Sequence, residues 1–195
     1  MKKSILFIAA FVLSTTFAAA QEYVYFGIKG GVNFSTFSGD GFSDFNDENA
    51  RTAYHLGLLA EVPVSDRFSI QPEVLYSAQG FDIVRREDNR DIEHQLDYIN
   101  VPVLAKFYLT DGFSLEAGPQ VGFVVSEKIS DGENDIAFFE DDRTEIELGL
   151  GLGASYKFNN IFIYGRYNAG LTDIYEREEI DAKNSVIQAG LGLMF

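Results

Sequence analysis

Apolar and polar residues alternate along most of this chain with a period of two, the repeat of a β-strand whose two faces meet different surroundings. The pattern predicts eight long strands, over residues 23–34, 52–62, 68–81, 95–109, 113–126, 144–158, 161–171 and 185–195. The last, SVIQAGLGLMF, puts Ile187, Ala189, Leu191, Leu193 and Phe195 on one parity and Val186, Gln188, Gly190, Gly192 and Met194 on the other. Each segment is near or above the roughly 9–11 residues that a membrane strand needs.

The connections alternate in kind. PVSDR, TDG and NN are tight turns between strands two and three, four and five, and six and seven. Ser35–Arg51, Asp82–His94, Glu127–Arg143 and Thr172–Asn184 are long, polar and mostly acidic. Short turns at one rim and long loops at the other mark an outer-membrane barrel, with the turns periplasmic and the loops extracellular. An even number of strands then puts both termini on the periplasmic side.

The two parities decide between lipid and water. One carries Val24, Phe26, Ile28 and Val32, then Tyr54, Leu56, Leu58 and Val62, then Ile146, Leu148, Leu150, Leu152 and Tyr156. The other collects Lys29, Glu61, Glu73, Lys106, Glu116, Glu147, Lys157 and Arg166. A soluble ligand-binding barrel is apolar within and polar without; this pattern is the reverse. The expected fold is therefore all-β, an eight-stranded antiparallel up-and-down transmembrane β-barrel, closed because lipid leaves no strand edge satisfied.

A lumen of eight strands is only wide enough for its side chains to fill. Four cations and four carboxylates can neutralise one another there, as buried charge requires. Gly149, Gly151 and Gly153 leave room for long neighbours such as Arg166. A plugged polar core is expected, rather than an open pore. Tyr25, Tyr76, Phe107, Tyr108, Tyr156, Phe158 and Phe195 fall near strand ends and are candidates for aromatic girdles. Pro72, Pro102 and Pro119 each remove a ladder hydrogen bond inside a strand, so bulges or bends are expected at all three.

The amino-terminal residues change the picture from barrel to exported barrel. Lys2 and Lys3 precede the apolar run Ile5–Leu13 and the small residues Ala18, Ala19 and Ala20. That is the layout of a cleaved signal peptide over 1–20, with the barrel domain over 21–195. A retained anchor is the alternative, but the run is short of the about 20 residues of a span. With no cysteine, the chain forms no disulfide, thiolate metal site or lipidated cysteine. A net charge of −15, from 30 acidic against 15 basic residues, argues against nucleic acid as a partner.

The segment LDYINVPVLAKFYL, followed after a tight turn by FSLEAGPQVGFVVS, resembles the PorT-like outer-membrane β-barrel family of Bacteroidetes. FGIKGGVNFS, QPEVLYSAQG and the closing GLGLMF are similar to that family as well, so the resemblance spans the barrel domain. It implies an outer-membrane location, and it implies that Phe195 is the terminal aromatic read by the barrel-assembly machinery. The founding member is tied to a secretion system for surface proteins, which implies an accessory role in secretion or surface assembly. No functional residue of the family maps onto this chain strongly enough to carry that role over.

Catalysis and metal binding find little purchase. His55 and His94 fall near the extracellular rim in polar surroundings, and either could work with Asp97, Asp82 or a serine in a hydrolase. No motif fixes a nucleophile beside them, so rim histidines and no enzyme are expected. DGEND at Asp131–Asp135 and EDDRTE at Glu140–Glu145 offer hard oxygen ligands suited to calcium, but neither has EF-hand spacing. A solvated acidic surface is expected, with no cofactor. Ile136–Phe139, Phe42 and Phe45 could anchor a protein partner or pack onto the rim. The leading expectation is a structural or interaction barrel in contact with outer-membrane lipid. A secretion component, a membrane-embedded enzyme and a narrow channel are the alternatives.

Overall fold

The computed structural model describes residues 24–38, 48–84, 91–130, 146–172 and 183–195. The segment 1–20 and the loop stretches Asp131–Asp135, Ile136–Phe139, Glu140–Glu145, Phe42 and Phe45 lie outside the described residues. Eight strands follow in chain order: β1 (Tyr25–Ser38), β2 (Glu48–Ser65), β3 (Phe68–Val84), β4 (Asp91–Tyr108), β5 (Phe113–Ser130), β6 (Ile146–Phe158), β7 (Ile161–Gly170) and β8 (Lys183–Met194). Each pairs antiparallel with its sequence neighbour, and β1 pairs with β8, closing the sheet into a barrel. The closing ladder runs from Gly27 opposite Met194 to Ser38 opposite Lys183. Phe195 extends it, its N–H donating to the Phe26 carbonyl at 2.8 Å while the Phe26 N–H donates to the Phe195 carbonyl at 3.2 Å.

The strands reach further into the long connections than alternation predicts. β4 begins at Asp91, β2 begins at Glu48, and β5 runs to Ser130. His94, assigned by pattern to a loop, sits in the β3–β4 ladder opposite Phe81. The physical reason is that backbone pairing does not need an apolar face. Beyond the lipid, both faces can meet water and the hydropathy alternation fades while the ladder continues.

The parity assignment sets the rest. Leu56, Leu58, Leu152, Ile163 and Leu191 are each more than half exposed on the outer surface, whereas Lys29, Glu61, Glu73, Lys106, Glu116 and Arg166 are buried. Near the rim of short turns, Phe26, Phe107, Tyr156, Phe158 and Phe195 face outward; Tyr54, Phe123 and Tyr167 do so towards the other end. Two of the residues read as girdle members serve elsewhere. Tyr108 bonds to the Glu61 carboxylate inside the barrel, and Tyr25 lies under the Lys157 ammonium at the mouth, 5.5 Å from nitrogen to ring centre.

Pro72, Pro102 and Pro119 produce no bulge. Leu59 still pairs with Glu73 and Val62 with Ile70, in one register, with the two positions between them skipped at Pro72. The β3–β4 ladder skips likewise at Pro102, between Pro72/Val103 and Leu75/Asn100. The β4–β5 ladder skips at Pro119, between Pro102/Gln120 and Ala105/Ala117. Each proline opens the ladder to the preceding strand where its missing N–H would have donated, and the openings step diagonally across three seams. The register shifts lie elsewhere, between Ala50 and His55, Pro63 and Ser65, and Asp97 and Tyr98. Beside Pro119 only glycine fits, because a Cβ on Gly118 would lie 2.0 Å from the Val103 carbonyl oxygen.

Leu152, in the middle of β6, is 54% exposed and faces outward. Leu152→Arg is expected to cost about 2–4 kcal/mol of folding free energy in lipid, and Phe158→Arg at the rim about 0–1 kcal/mol. Denaturant titration in bilayers checks the contrast, and equal costs would mean that this surface does not face hydrocarbon.

Candidate functional site

The barrel interior is bridged at mid-height by a single charged cluster. Its centre is Glu73 on β3, whose two oxygens accept from both Arg166 Nη atoms on β7, at 2.8 and 2.9 Å, and from Lys29 Nζ on β1 at 3.2 Å. Gln71 Nε2 donates to the same carboxylate at 2.7 Å. Arg166 turns its Nε to Glu116 on β5 at 2.9 Å. The planar guanidinium therefore holds two carboxylates at once, which its fork of donors allows and a lysine could not reproduce. Lys29 lies under the face of Tyr164, 3.6 Å from nitrogen to ring centre, so the ring supplies negative potential on its remaining side.

A second ion pair continues the chain towards the short-turn rim. Lys106 on β4 donates to Glu61 on β2 at 3.2 Å and to Gln71 Oε1 at 3.1 Å, so Gln71 joins the two pairs into one network. Tyr108 donates to Glu61 from the other side. Below it a cavity of about 920 Å3 opens at the rim, lined by Tyr25, Glu61, Arg67, Tyr108 and Lys157 among others. Lys157, half-buried, sits over the rings of Tyr25 and Tyr108. Glu147, also half-buried, stands at the opposite end of the lumen.

Towards that opposite end the charges give way to neutral groups. His55, expected at an exposed rim, is instead buried within the lumen at 2% exposure. Its Nδ1 lies 2.7 Å from Asn33 Oδ1, and its Nε2 contacts the Tyr164 hydroxyl. Asn33 Oδ1 also accepts from Gln188 Nε2 at 3.1 Å. This pattern assigns a neutral ring with Nδ1 as donor and Nε2 as acceptor of the tyrosine proton. The reason for the correction is parity: His55 falls on the inward set of β2, with Leu59 and Glu61, and strand geometry overrides the polarity of its neighbours. His94 and Asp82 lie in strands, with their side chains outside the described set. Asp97 is on the outer parity, bonded to Tyr76.

Sequence reasoning grouped the eight charged residues by parity and missed the neutral ones that complete their bonding. Gln71, Asn33, Tyr164 and Gln188 share the inward parity of Glu73, Lys29, Arg166 and Met194, so the signal was available. Polar uncharged side chains on an inward parity belong to the same network as the charges.

A closed antiparallel barrel with an apolar exterior and an ion-paired interior defines the class of small outer-membrane β-barrel proteins. Residues 19–176 match the model of the outer membrane protein beta-barrel domain family, and the chain belongs to that family. It is thus an outer-membrane protein. Among solved structures, the chain is similar to the attachment invasion locus protein Ail of Yersinia pestis, with 17% identity over 88% of this chain and 98% of that one and a TM-score of 0.54. Ail in complex with the heparin analogue sucrose octasulfate gives 16% identity, 88% and 99% coverage and a TM-score of 0.55. Neisserial surface protein A gives 14% identity, 87% and 97% coverage and a TM-score of 0.59. At these identities the likeness concerns the fold alone. No curated protein sequence matches the chain.

Removing one member of the central cluster leaves buried charge unpaired. Glu73→Ala is expected to destabilise the barrel by about 3–5 kcal/mol, through Lys29 and Arg166 together. The double variant E73L/R166M, which keeps Lys29 and Glu116 in balance, is expected to recover a substantial part of that loss. Equilibrium unfolding in detergent micelles checks both, and additive losses would mean that the two side chains do not interact.

Proposed function

We propose that this protein is a non-catalytic interaction barrel that passes no solute and works at its rims. The long connections face the cell exterior, and the short turns and both termini face the periplasm. The observation that carries this reading is the cluster of Lys29, Glu73, Glu116 and Arg166, which joins β1, β3, β5 and β7 across the lumen with every member buried. A diffusing solute would have to break several charge-assisted bonds to pass. Catalysis finds no support in the described residues, since both ring nitrogens of His55 are engaged, by Asn33 and Tyr164. Phe195, 72% exposed on the outer face beside Phe26, is available as the aromatic that the assembly machinery reads.

The chemistry of the outward partner follows from charge. Ail binds a sulfated heparin analogue in the complex cited above; with 30 acidic against 15 basic residues, this chain is poorly matched to a polyanion. A protein with a basic surface suits the acidic connections better, and Ile136–Phe139 supplies apolar anchoring. The PorT-like reading, an accessory role in secretion or surface assembly, is favoured by one feature, the cavity of about 920 Å3 at the periplasmic rim, which could seat a segment of a periplasmic partner. Co-purification with secretion machinery, lost on substituting Arg67 and Lys157, supports that reading; co-purification unaffected by those changes counts against it.

Planar-bilayer recording tests the closed lumen. The wild-type protein is expected to give no steady current, and Glu73→Ala with Arg166→Ala is expected to give a small cation-permeable conductance. A steady single-channel current from the wild type would contradict the proposal.

A further inference from the structure

The lumen charges do not all find partners within it. Lys29, Lys106 and Arg166 are paired with Glu61, Glu73 and Glu116. Lys157 rests on two tyrosine rings at the periplasmic mouth. Glu147, at the extracellular end, makes no ion pair among the described residues. Its neighbours are uncharged: Tyr98 and Asn184 lie within hydrogen-bonding reach of its carboxylate.

The buried atoms around it share one chemistry. Among the described residues, five buried side-chain atoms have no hydrogen-bond partner, and all five are oxygens: Gln120 Oε1, Glu147 Oε2, Asn168 Oδ1, Asn184 Oδ1 and Gln188 Oε1. The four amide residues are each at least nine-tenths buried. Their amide assignments are not arbitrary where the bonding fixes them, because Asn184 Nδ2 donates to Gln79 and Gln188 Nε2 donates to Asn33. In Asn184 and Gln188 the oxygen, not the nitrogen, is thus the atom left over.

Register brings four of the five together. Gln120 on β5 is opposite Gly149, and Glu147 on β6 is opposite Gly122. Gly149 is in turn opposite Gly170, and Gly151 is opposite Asn168, on β7. A Cβ on Gly170 would lie 3.0 Å from a Glu147 oxygen and 2.7 Å from the Asn184 carbonyl oxygen. One on Gly151 would lie 2.9 Å from Asn168 Oδ1. Glycines therefore floor this part of the wall, with oxygens of Glu147 and Asn168 beside them and Gln120 and Asn184 at neighbouring register positions. A wall that presents buried acceptor oxygens around one carboxylate, whose donors are the uncharged Tyr98 and Asn184, suits neither an anion nor an apolar ligand.

We propose that the outward half of the lumen binds one small hard cation, ligated by the Glu147 carboxylate and the amide oxygens of Gln120, Asn168 and Asn184. All-oxygen ligation suits alkali and alkaline-earth ions alike. The cation supplies the charge that Glu147 lacks and caps the lumen above the Glu73 cluster. The site is independent of the partner proposed for the loops.

Thermal unfolding of the detergent-refolded, full-length barrel tests this, at constant ionic strength in choline chloride with sodium, potassium, magnesium or calcium exchanged in. In the wild type, one of these ions is expected to raise Tm saturably by several degrees, since a ligand held only by the folded state stabilises it. Glu147→Gln is expected to abolish that increment, whatever it does to Tm in choline. Gln120→Met, which keeps the charge and removes one oxygen, is expected to move the half-saturating concentration up several-fold. A sodium- or potassium-selective rise identifies an alkali site, and a calcium- or magnesium-selective rise an alkaline-earth site. An increment equal in wild type and Glu147→Gln would place the ion on the acidic loops and overturn the proposal. So would the absence of any ion-dependent shift, which would mean that water alone satisfies the oxygens.

Discussion

Everything in this barrel follows from the pairing of its first strand with its last. In hydrocarbon each unpaired backbone N–H or C=O costs several kcal/mol, so a sheet can cross a membrane only if it has no edge. The β1–β8 ladder, continued by the reciprocal bonds of Phe26 and Phe195, removes that edge. Closure then creates an inside. Because successive side chains point to opposite faces, the apolar set turned to lipid forces the intervening set into a narrow lumen, whatever its polarity.

The chemistry of that lumen answers the problem that closure creates. Long charged side chains fill the space that eight strands enclose, and burial is tolerated because Glu73 accepts bonds from two cations and an amide while Glu116 is held by Arg166. Arg166 and Glu73 are the pair on which this depends, since the guanidinium also holds Glu116 and the carboxylate also holds Lys29. Neutral groups take over towards the end away from the short turns, with His55 kept uncharged between Asn33 and Tyr164. The interior is thus a gradient from ion pairs to amides, and Glu147 stands where the cations have run out.

Legibility in the sequence tracked how strongly the solvent constrains each residue. Where lipid demanded an apolar face, as at Leu148, Leu150 and Leu152, alternation located the strand and its orientation. Beyond the lipid it lost the strand ends, because Asp91 to His94 pairs with β3 although its sequence is too polar and its alternation too short to mark a strand. Lys29, Glu73 and Arg166 were readable as lumen residues from parity, but which charge meets which was not, since that depends on the stagger of eight strands. His55 was misjudged from its polar neighbours when its parity with Glu61 already pointed inward. At Pro72, Pro102 and Pro119 the loss of ladder bonds was readable but its form was not: three consecutive seams share it, each skipping positions without the register shift of a bulge, and only the tertiary pairing reveals that.

The central claim is that neighbouring residues on one strand face lipid and lumen in turn, and the absence of tryptophan from the chain makes this directly measurable. Phe162 and Ile163 are adjacent on β7, 3% and 59% exposed, respectively. Each would be replaced singly by tryptophan and its fluorescence read in bilayers of brominated lipid. The account predicts strong quenching of the probe at 163 and little at 162. Equal quenching at both positions, or quenching only at 162, would contradict it.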